Sequence, residues 1–335
     1  IRDNNGIWVA VVLFIVARII AYCTQLPLES FSALAPDAIL SDNNCRNDTP
    51  KKGIRMADIL NQDELRARVE AYLEAMLGTS VTIKLLQPLP GGVTRDTWLI
   101  HVRIEDEVQR LVLRRDMATT LDDRALERDQ EFLLMNAAHA AGVRVPRPRW
   151  YCTEPCILGE PFLIMDFVDG VSIGSQVVSL PELADARRAL PAQLGQQLAR
   201  IHALKTDKLT FLPVPRAGHS PAQEVLSQLR AALTKLGVHS PALTFALRWV
   251  EKHLPPGGDV VLLHGDFRVG NFIVDKDGLQ GIVDWEFGQL GDPYQDLAWP
   301  CVRGWRYGSG ALQLGGVGPR EPFLRAYEAT SGRTI

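Results

Sequence analysis

The chain has 335 residues, 46% of them hydrophobic and 22% charged, with a net charge of −3. That balance excludes a disordered chain and the basic footprint of a nucleic-acid binder, and the length allows two domains or one bilobal enzyme. Five scattered cysteines, an odd number, exclude a disulfide framework and suit reduced thiols in the cytosol; Cys152 and Cys156 make half of a metal-ligand spacing with no second pair.

Residues 1–55 predict no domain. "GIWVAVVLFIVARIIAYC" is almost wholly apolar, interrupted by Arg18, and a polar run, "SDNNCRNDTPKKG", follows. The apolar run is marginal in length for a membrane helix and also suits a signal-peptide core. The first methionine, Met56, opens "MADILNQDELRARVEAYLEAML", which reads as a natural amino terminus. Residues 1–55 are therefore expected to be upstream translation or a fragment end, with a genuine anchor over residues 7–23 as the alternative. Localisation is expected to be cytoplasmic, or membrane-anchored if that segment is genuine.

After Met56 the spacing of Asn61 and Glu64 predicts a capped helix, with Leu65, Val69, Leu73 and Met76 on one face. Then "VTIKLLQPLPGGVTRDTWLIHVRIEDEVQRLVLRRD" predicts strand, Gly-rich turn, strand, charged turn and strand. Gly91 and Gly92 allow a tight bend and close approach of a phosphate to backbone N–H groups, although a plain turn needs the same residues. "DRALERDQEFLLMNAAHAAG" predicts a helix ending near Gly142. Glu131 lies beside its apolar stripe and by itself reads as a solvated charge. "EPFLIMDFVDG" predicts a buried strand leaving through Asp166 to Gly170 as a hinge. The chain to about Leu254 reads as mainly helical, with His202 in core scaffold.

"VLLHGDFRVGNFIVDKDGLQGIVDWE" (residues 261–286) then alternates apolar runs with polar loops. It places Asp266, Asn271 and Asp284 at strand ends, an oxygen-rich set suited to a hard cation such as Mg²⁺. Asp275 and Asp277 read as surface-turn acids, and Trp285 and Trp299 as packing aromatics. The order of elements, a small β-rich part, a hinge strand, a helical part and a carboxylate-bearing loop, is what phosphoryl transfer between two lobes requires.

"HGDFRVGN", "IVDWE" and "GDPYQDLAW" resemble the aminoglycoside phosphotransferase and choline kinase superfamily, from about Thr82 to Gly332. "PGGVTRDTW", "LVLRRD", "LARIHAL" and "CVRGWRYG" narrow the resemblance to the branch that includes the kinase-like domain fused to some acyl-CoA dehydrogenases. The resemblance implies an α+β, bilobal, protein-kinase-like fold. It also implies ATP- and Mg²⁺-dependent transfer of the γ-phosphoryl group to a hydroxyl acceptor. Asp266 would be the catalytic aspartate, orienting or deprotonating the acceptor hydroxyl, and Arg268 would reach the transferring phosphate. Asn271 and Asp284 would hold Mg²⁺. Gly91, Gly92, Arg114 and Glu131 would serve the phosphates, and Asp166, Phe167 and Val168 would hold adenine through backbone groups. In that context Glu131 becomes the orienting partner of the phosphate-binding cation. His264, Asp292 and Asp296 would brace the site.

Arg114 stands where most kinases carry lysine. Arg115 follows it, and strand alternation puts the two on opposite faces. Residues 171–262 carry ten Lys and Arg against six Asp and Glu, and Arg303 and Arg306 follow. This favours an anionic acceptor such as a hydroxyacyl-CoA over a polycationic antibiotic. A non-catalytic nucleotide-binding scaffold and an antibiotic kinase are the alternatives. The expected division is an extension to residue 55, an N-lobe over 56–168 and a C-lobe over 169–335. Because "FLRAYEATSGRTI" reads as an unfinished end, the C-lobe is expected to be truncated. Expected partners are a small-molecule acceptor and an acyl-CoA dehydrogenase, with no nucleic acid.

Overall fold

The computed structural model describes residues 60–89, 95–116, 125–235, 237, 239–254 and 258–335. The features expected over residues 1–55, at Met56 and at Gly91 and Gly92 lie outside the described residues. Among the described residues no helix is long and apolar enough to cross a membrane.

Helix α1 (Gln62–Leu77) starts where the Asn61 side chain accepts the Glu64 N–H, and it ends at Gly78 in the left-handed conformation. Its buried face is Leu65, Val69 and Leu73. Met76, expected on that face, is exposed instead; it lies in the last turn, one residue before the helix ends. The helix covers a sheet built from β1 (Val81–Pro88), β2 (Arg95–Ile104) and β3 (Glu107–Asp116). Alternating apolar residues such as Val81, Ile83, Ile100, Val102, Leu111 and Leu113 supply its buried face. Glu105, at φ 55°, turns the β2–β3 hairpin.

Helix α2 (Arg128–Ala140) follows, with a capping box between Glu127 and Gln130. Strand β4 (Pro148–Cys152), the single turn α3 (Pro155–Leu158) and strand β5 (Phe162–Asp166) complete an antiparallel sheet of order β1-β2-β3-β5-β4. The chain then leaves through Asp166–Gly170 and is stitched to the lower lobe by paired bonds between Val171 and Val274, 2.7 and 3.0 Å.

The lower lobe is helical. Helix α4 (Gly174–Ser179) leads to α5 (Ala184–His202), its central helix. Helices α6 (Pro221–Lys235) and α7 (Pro241–Lys252) form a side hairpin with their own apolar core. Next come β6 (Val261–Leu263), the hairpin β7 (Phe272–Asp275) and β8 (Gly278–Ile282), then β9 (Gln289–Gly291), which pairs with β6. Helix α8 (Pro293–Ala298) and α9 (Arg320–Ser331) end the described chain. Residues 323–335, read as an unfinished end, form most of α9, which lies against α5 so closely that a Cβ on Gly195 would stand 2.2 Å from the Phe323 carbonyl oxygen.

One buried core runs through α5, β7, β8 and α9 and extends upward to Leu134, Met135 and Ala138 of α2 and to Leu163 and Met165 of β5. A second core lies between the sheet and α1. The result is an α+β molecule of two lobes joined by one strand exit, with the polar 264–271 loop between β6 and β7 facing the junction.

Candidate active site

The loop between β6 and β7 is held from beneath. The Asp296 carboxylate, fully buried in α8, accepts the backbone N–H of His264 at 2.6 Å and of Gly265 at 3.0 Å. His202 approaches the same carboxylate at 3.4 Å and the Tyr327 hydroxyl at 2.8 Å, which ties α5, α8 and α9 together. The expectation that His202 is scaffold matches this placement.

His264 is a second brace. The Asp266 N–H donates to its Nδ1 at 3.2 Å, so the ring proton is on Nε2, which donates to the Val283 carbonyl at 3.1 Å. Burial pushes its pKa below the ordinary value despite the surrounding carboxylates. A neutral imidazole thereby links the loop to the residue that precedes Asp284.

Asp266 is almost entirely buried. Its Oδ2 accepts the Asn271 amide Nδ2 at 2.8 Å, and its Oδ1 accepts Arg268 Nε at 3.2 Å and Trp299 Nε1 at 2.6 Å. The bond to Asp266 turns the Asn271 amide so that its carbonyl oxygen points away from that carboxylate. Val283 donates its N–H to the backbone carbonyl of Asn271 at 2.9 Å, bringing the start of β7 beside Asp284. Asp284 has φ 66°, an uncommon conformation for a residue with a side chain.

From the upper lobe, Arg114 reaches down with its guanidinium. It donates to Glu131 Oε1 at 3.1 Å and, through the other nitrogen, to Asp284 Oδ1. Arg128 donates to the second oxygen of Glu131 and lies 3.1 Å from Asp116. Alternating charges therefore run from Asp116 through Arg128, Glu131 and Arg114 to Asp284. Burial disfavours the Arg114 cation, but Asp284 and Glu131 together hold its pKa above the ordinary value. Burial likewise pushes Asp284 up, and Arg114 more than offsets it, so Asp284 titrates below the usual carboxylate range. Arg115 points to the opposite face, bonded to Asp96 at 2.6 Å and the Leu158 carbonyl at 2.8 Å.

The hinge is partly committed already. Asp166 donates its N–H to the Arg147 carbonyl at 2.9 Å and Phe167 donates to the Arg110 carbonyl at 3.0 Å, while the Asp166 carboxylate pairs with Arg149 at 2.6 Å. Of the three residues expected to hold a base, two have spent their N–H groups on strand neighbours.

The predicted residues Asp266, Arg268 and Asn271 are thus in mutual contact, and Arg114, Glu131 and Asp284 form a second connected group. Trp299, read as a packing aromatic, is in addition a donor to Asp266. Its partner leaves no sequence signal, because an indole looks the same wherever its N–H points. Arg128 was missed although its i, i+3 spacing to Glu131 was visible. Tyr307 is a further neighbour of the loop: its hydroxyl lies 3.5 Å from where a Cβ on Gly270 would stand, over the space left by Gly174. Arg306, expected to add to the positive side of the acceptor region, is turned onto the Gly310 and Cys301 carbonyls at 2.8 and 3.0 Å. Arg187, Arg216 and Arg230 are likewise tied to carbonyls or acids of the helical lobe, and Arg200 to the Gly142 carbonyl of the upper lobe. The basic balance of that lobe does not converge on the loop.

The donor set fits a hard cation. It comprises the Asp284 carboxylate, kept ionised, and an amide oxygen on Asn271, on adjoining strand ends beside an Asp266 carboxylate. Among the described residues no group of three or more His, Cys, Asp or Glu is arranged to hold a metal by itself.

A fold of two lobes with an Asp–Asn loop below and an Arg–Glu pair above defines a phosphotransferase of the kinase-like class. Residues 85–334 match the phosphotransferase enzyme family, and the chain belongs to that family. It is 33% identical over 257 residues to acyl-CoA dehydrogenase family member 10 of Mus musculus, covering 74% of this chain and 23% of that one. It is 26% identical to acyl-CoA dehydrogenase family member 11 of Homo sapiens, covering 72% of this chain and 32% of that protein. The chain therefore spans about a quarter to a third of the length of these curated relatives. Among solved structures it is similar to a Ralstonia eutropha protein described as an aminoglycoside phosphotransferase (TM-score 0.62, 21% identity, 80% of this chain and 81% of that chain). It is also similar to macrolide 2'-phosphotransferase MphH of Brachybacterium faecium (TM-score 0.51, 22% identity, 78% and 83%). These likenesses establish the shared fold.

Proposed function

We propose that the protein transfers the γ-phosphoryl group of ATP to the hydroxyl of a small molecule, with Mg²⁺, and that the acceptor is a hydroxyacyl-CoA thioester. The observation that carries the reading is the meeting of the buried Asp266–Asn271 pair with the Arg114–Asp284 contact across the two lobes. Asp266 takes the proton of the acceptor hydroxyl as its oxygen bonds to the γ-phosphorus; the bond from phosphorus to the β–γ bridging oxygen breaks, and ADP leaves with that electron pair. Arg268 and Arg114 counter the charge carried by the phosphoryl oxygens. Asn271 and Asp284 would hold the Mg²⁺ ion, which when bound supplies charge neutralisation at the phosphates. Val168 and the hinge carbonyls would receive the base edge, because Asp166 and Phe167 have spent their N–H groups. The lobes of this reading are residues 56–168 and 169–335.

The acceptor class is supported by the similarity to proteins named as acyl-CoA dehydrogenase family members. The bulk charge of the helical lobe does not support it, because Arg187, Arg200, Arg216 and Arg230 are turned onto carbonyls or acids away from the 264–271 loop. The test is transfer from labelled ATP to a panel of hydroxyacyl-CoA esters, with aminoglycosides and macrolides as competing acceptors, by the wild type and Asp266→Asn. The expected loss at Asp266 is about a thousandfold in turnover. Near-native turnover by that variant refutes its role, and transfer only to antibiotics refutes the acceptor.

A further inference from the structure

We propose that Trp299 is a positioning residue, whose indole N–H, together with the Trp305–Arg268 stack, fixes the orientation of the Asp266 carboxylate. The inference rests on the phosphotransfer reading above and adds to it a residue acting through the base.

Three observations carry it. Trp299 Nε1 donates to Asp266 Oδ1 at 2.6 Å, with both side chains buried; a hydrogen bond to a carboxylate is stronger than one to a neutral acceptor. The same oxygen accepts Arg268 Nε at 3.2 Å. The Arg268 guanidinium lies 4.4 Å from the centroid of the Trp305 ring, and Trp305 meets Trp299 edge-on at 5.2 Å. Two donors on one carboxylate oxygen are therefore both supported by a single indole pair. Finally, Trp299 follows Asp296 by three residues, one turn beyond it at the end of α8. Asp296 holds the backbone of the loop at His264 and Gly265, and Trp299 holds the side chain of Asp266 one residue later. One rigid turn thus fixes both the main chain and the carboxylate.

Packing alone does not account for the contact. Among the described residues the Nε1 atoms of Trp98 and Trp305 are buried without a protein partner, so a buried indole here is not automatically aimed at an acceptor. Trp285 pairs its own with the Ile282 carbonyl at 3.0 Å, a backbone brace. At Trp299 the indole is aimed at a carboxylate, and its rigid ring fixes the distance from helix end to carboxylate with two torsions only.

The experiment is Trp299→Phe, which keeps the ring and removes the donor, assayed alone and in an Asp266→Asn background, with thermal melting as a check of folding. The expected result is a roughly tenfold to hundredfold fall in kcat, with KM for ATP and for the acceptor within about twofold. In the Asp266→Asn background the same change should alter the residual kcat by less than about twofold. A kcat within about twofold of wild type, or equal fractional losses in both backgrounds, overturns the inference. A second measurement covers a variant that fails to fold: the ¹H–¹⁵N indole resonance of Trp299 in the wild-type protein against Asp266→Asn. A resonance displaced by the change at Asp266 supports the contact, and an unmoved one overturns the inference. A wild type that transfers nothing to any acceptor overturns the phosphotransfer reading and this inference with it, whatever the indole resonance does.

Discussion

Asp296 accepts the backbone N–H of His264 at 2.6 Å, with both groups out of water. The bond decides where the β6–β7 loop begins, because the neighbouring Gly265 N–H is taken by the other oxygen of the same carboxylate. Replacing Asp296 with Ala leaves two buried donors unpaired. The expected cost is about 2–5 kcal/mol in unfolding free energy. Urea denaturation checks it, and a loss below about 0.5 kcal/mol would show that water replaces the carboxylate.

His264 makes stability depend on pH in a defined direction. Burial lowers its pKa in the folded chain from the ordinary 6.5, so the unfolded chain takes up a proton there before the folded one does. Stability from this residue is present above about pH 6.5 and is lost as the pH falls toward the lowered value. Melting temperatures between pH 5 and 7.5 should fall on acidification more steeply for the wild type than for His264→Gln. Parallel curves would refute the assignment.

Gly265 has φ +80°, and a Cβ built there would stand 2.1 Å from the Phe287 carbonyl oxygen. Gly265→Ala therefore meets both backbone strain and a contact that no rotamer relieves. The expected destabilisation is about 2 kcal/mol or more. The same change at Gly142, which has φ +75° but nothing within 4 Å of the added atom, should cost less, about 1 kcal/mol. Comparing the two by chemical denaturation separates strain from collision.

Arg114 bonds two carboxylates with two different nitrogens. A lysine offers one compact charge and cannot span both in that geometry. Arg114→Lys is expected to keep the fold and to lose roughly tenfold to hundredfold in kcat/KM for ATP. Glu131 would remain compensated by Arg128. Steady-state kinetics with varied ATP, beside a thermal melt, distinguish this outcome from general destabilisation.

The residue types of the candidate site and their spacing are legible in the sequence. Asp266, Asn271 and Asp284 carry their chemistry in their residue types and lie within 19 residues of one another, in a segment whose apolar runs mark the strand ends. Arg114 and Arg115 were separable in principle because successive strand residues alternate faces, and their partners lie on opposite sides of β3. What could not be read was any contact set by tertiary packing. Nothing in "DLAWP" says that the Trp299 N–H meets a carboxylate 33 residues earlier. Nor does "CVRGWRYG" reveal that the Arg306 guanidinium is turned onto backbone carbonyls. Counting basic residues therefore overstated the field offered to an anionic acceptor, because charge counts carry no information about internal pairing. Met76 shows the same limit on a smaller scale: helical spacing placed it on the buried face, while the end of the helix left it in solvent.

The larger apolar core joins α2 and β5 of the upper lobe to α5, β7, β8 and α9 of the lower one, and the Arg114–Asp284 bond crosses the same junction between residues 170 apart in sequence. Neither half contains the whole of its own buried interior. The molecule should consequently lose structure as one cooperative unit. Amide protons of α2 should exchange at the pace of those in α5, not at that of an independently melting β-rich half.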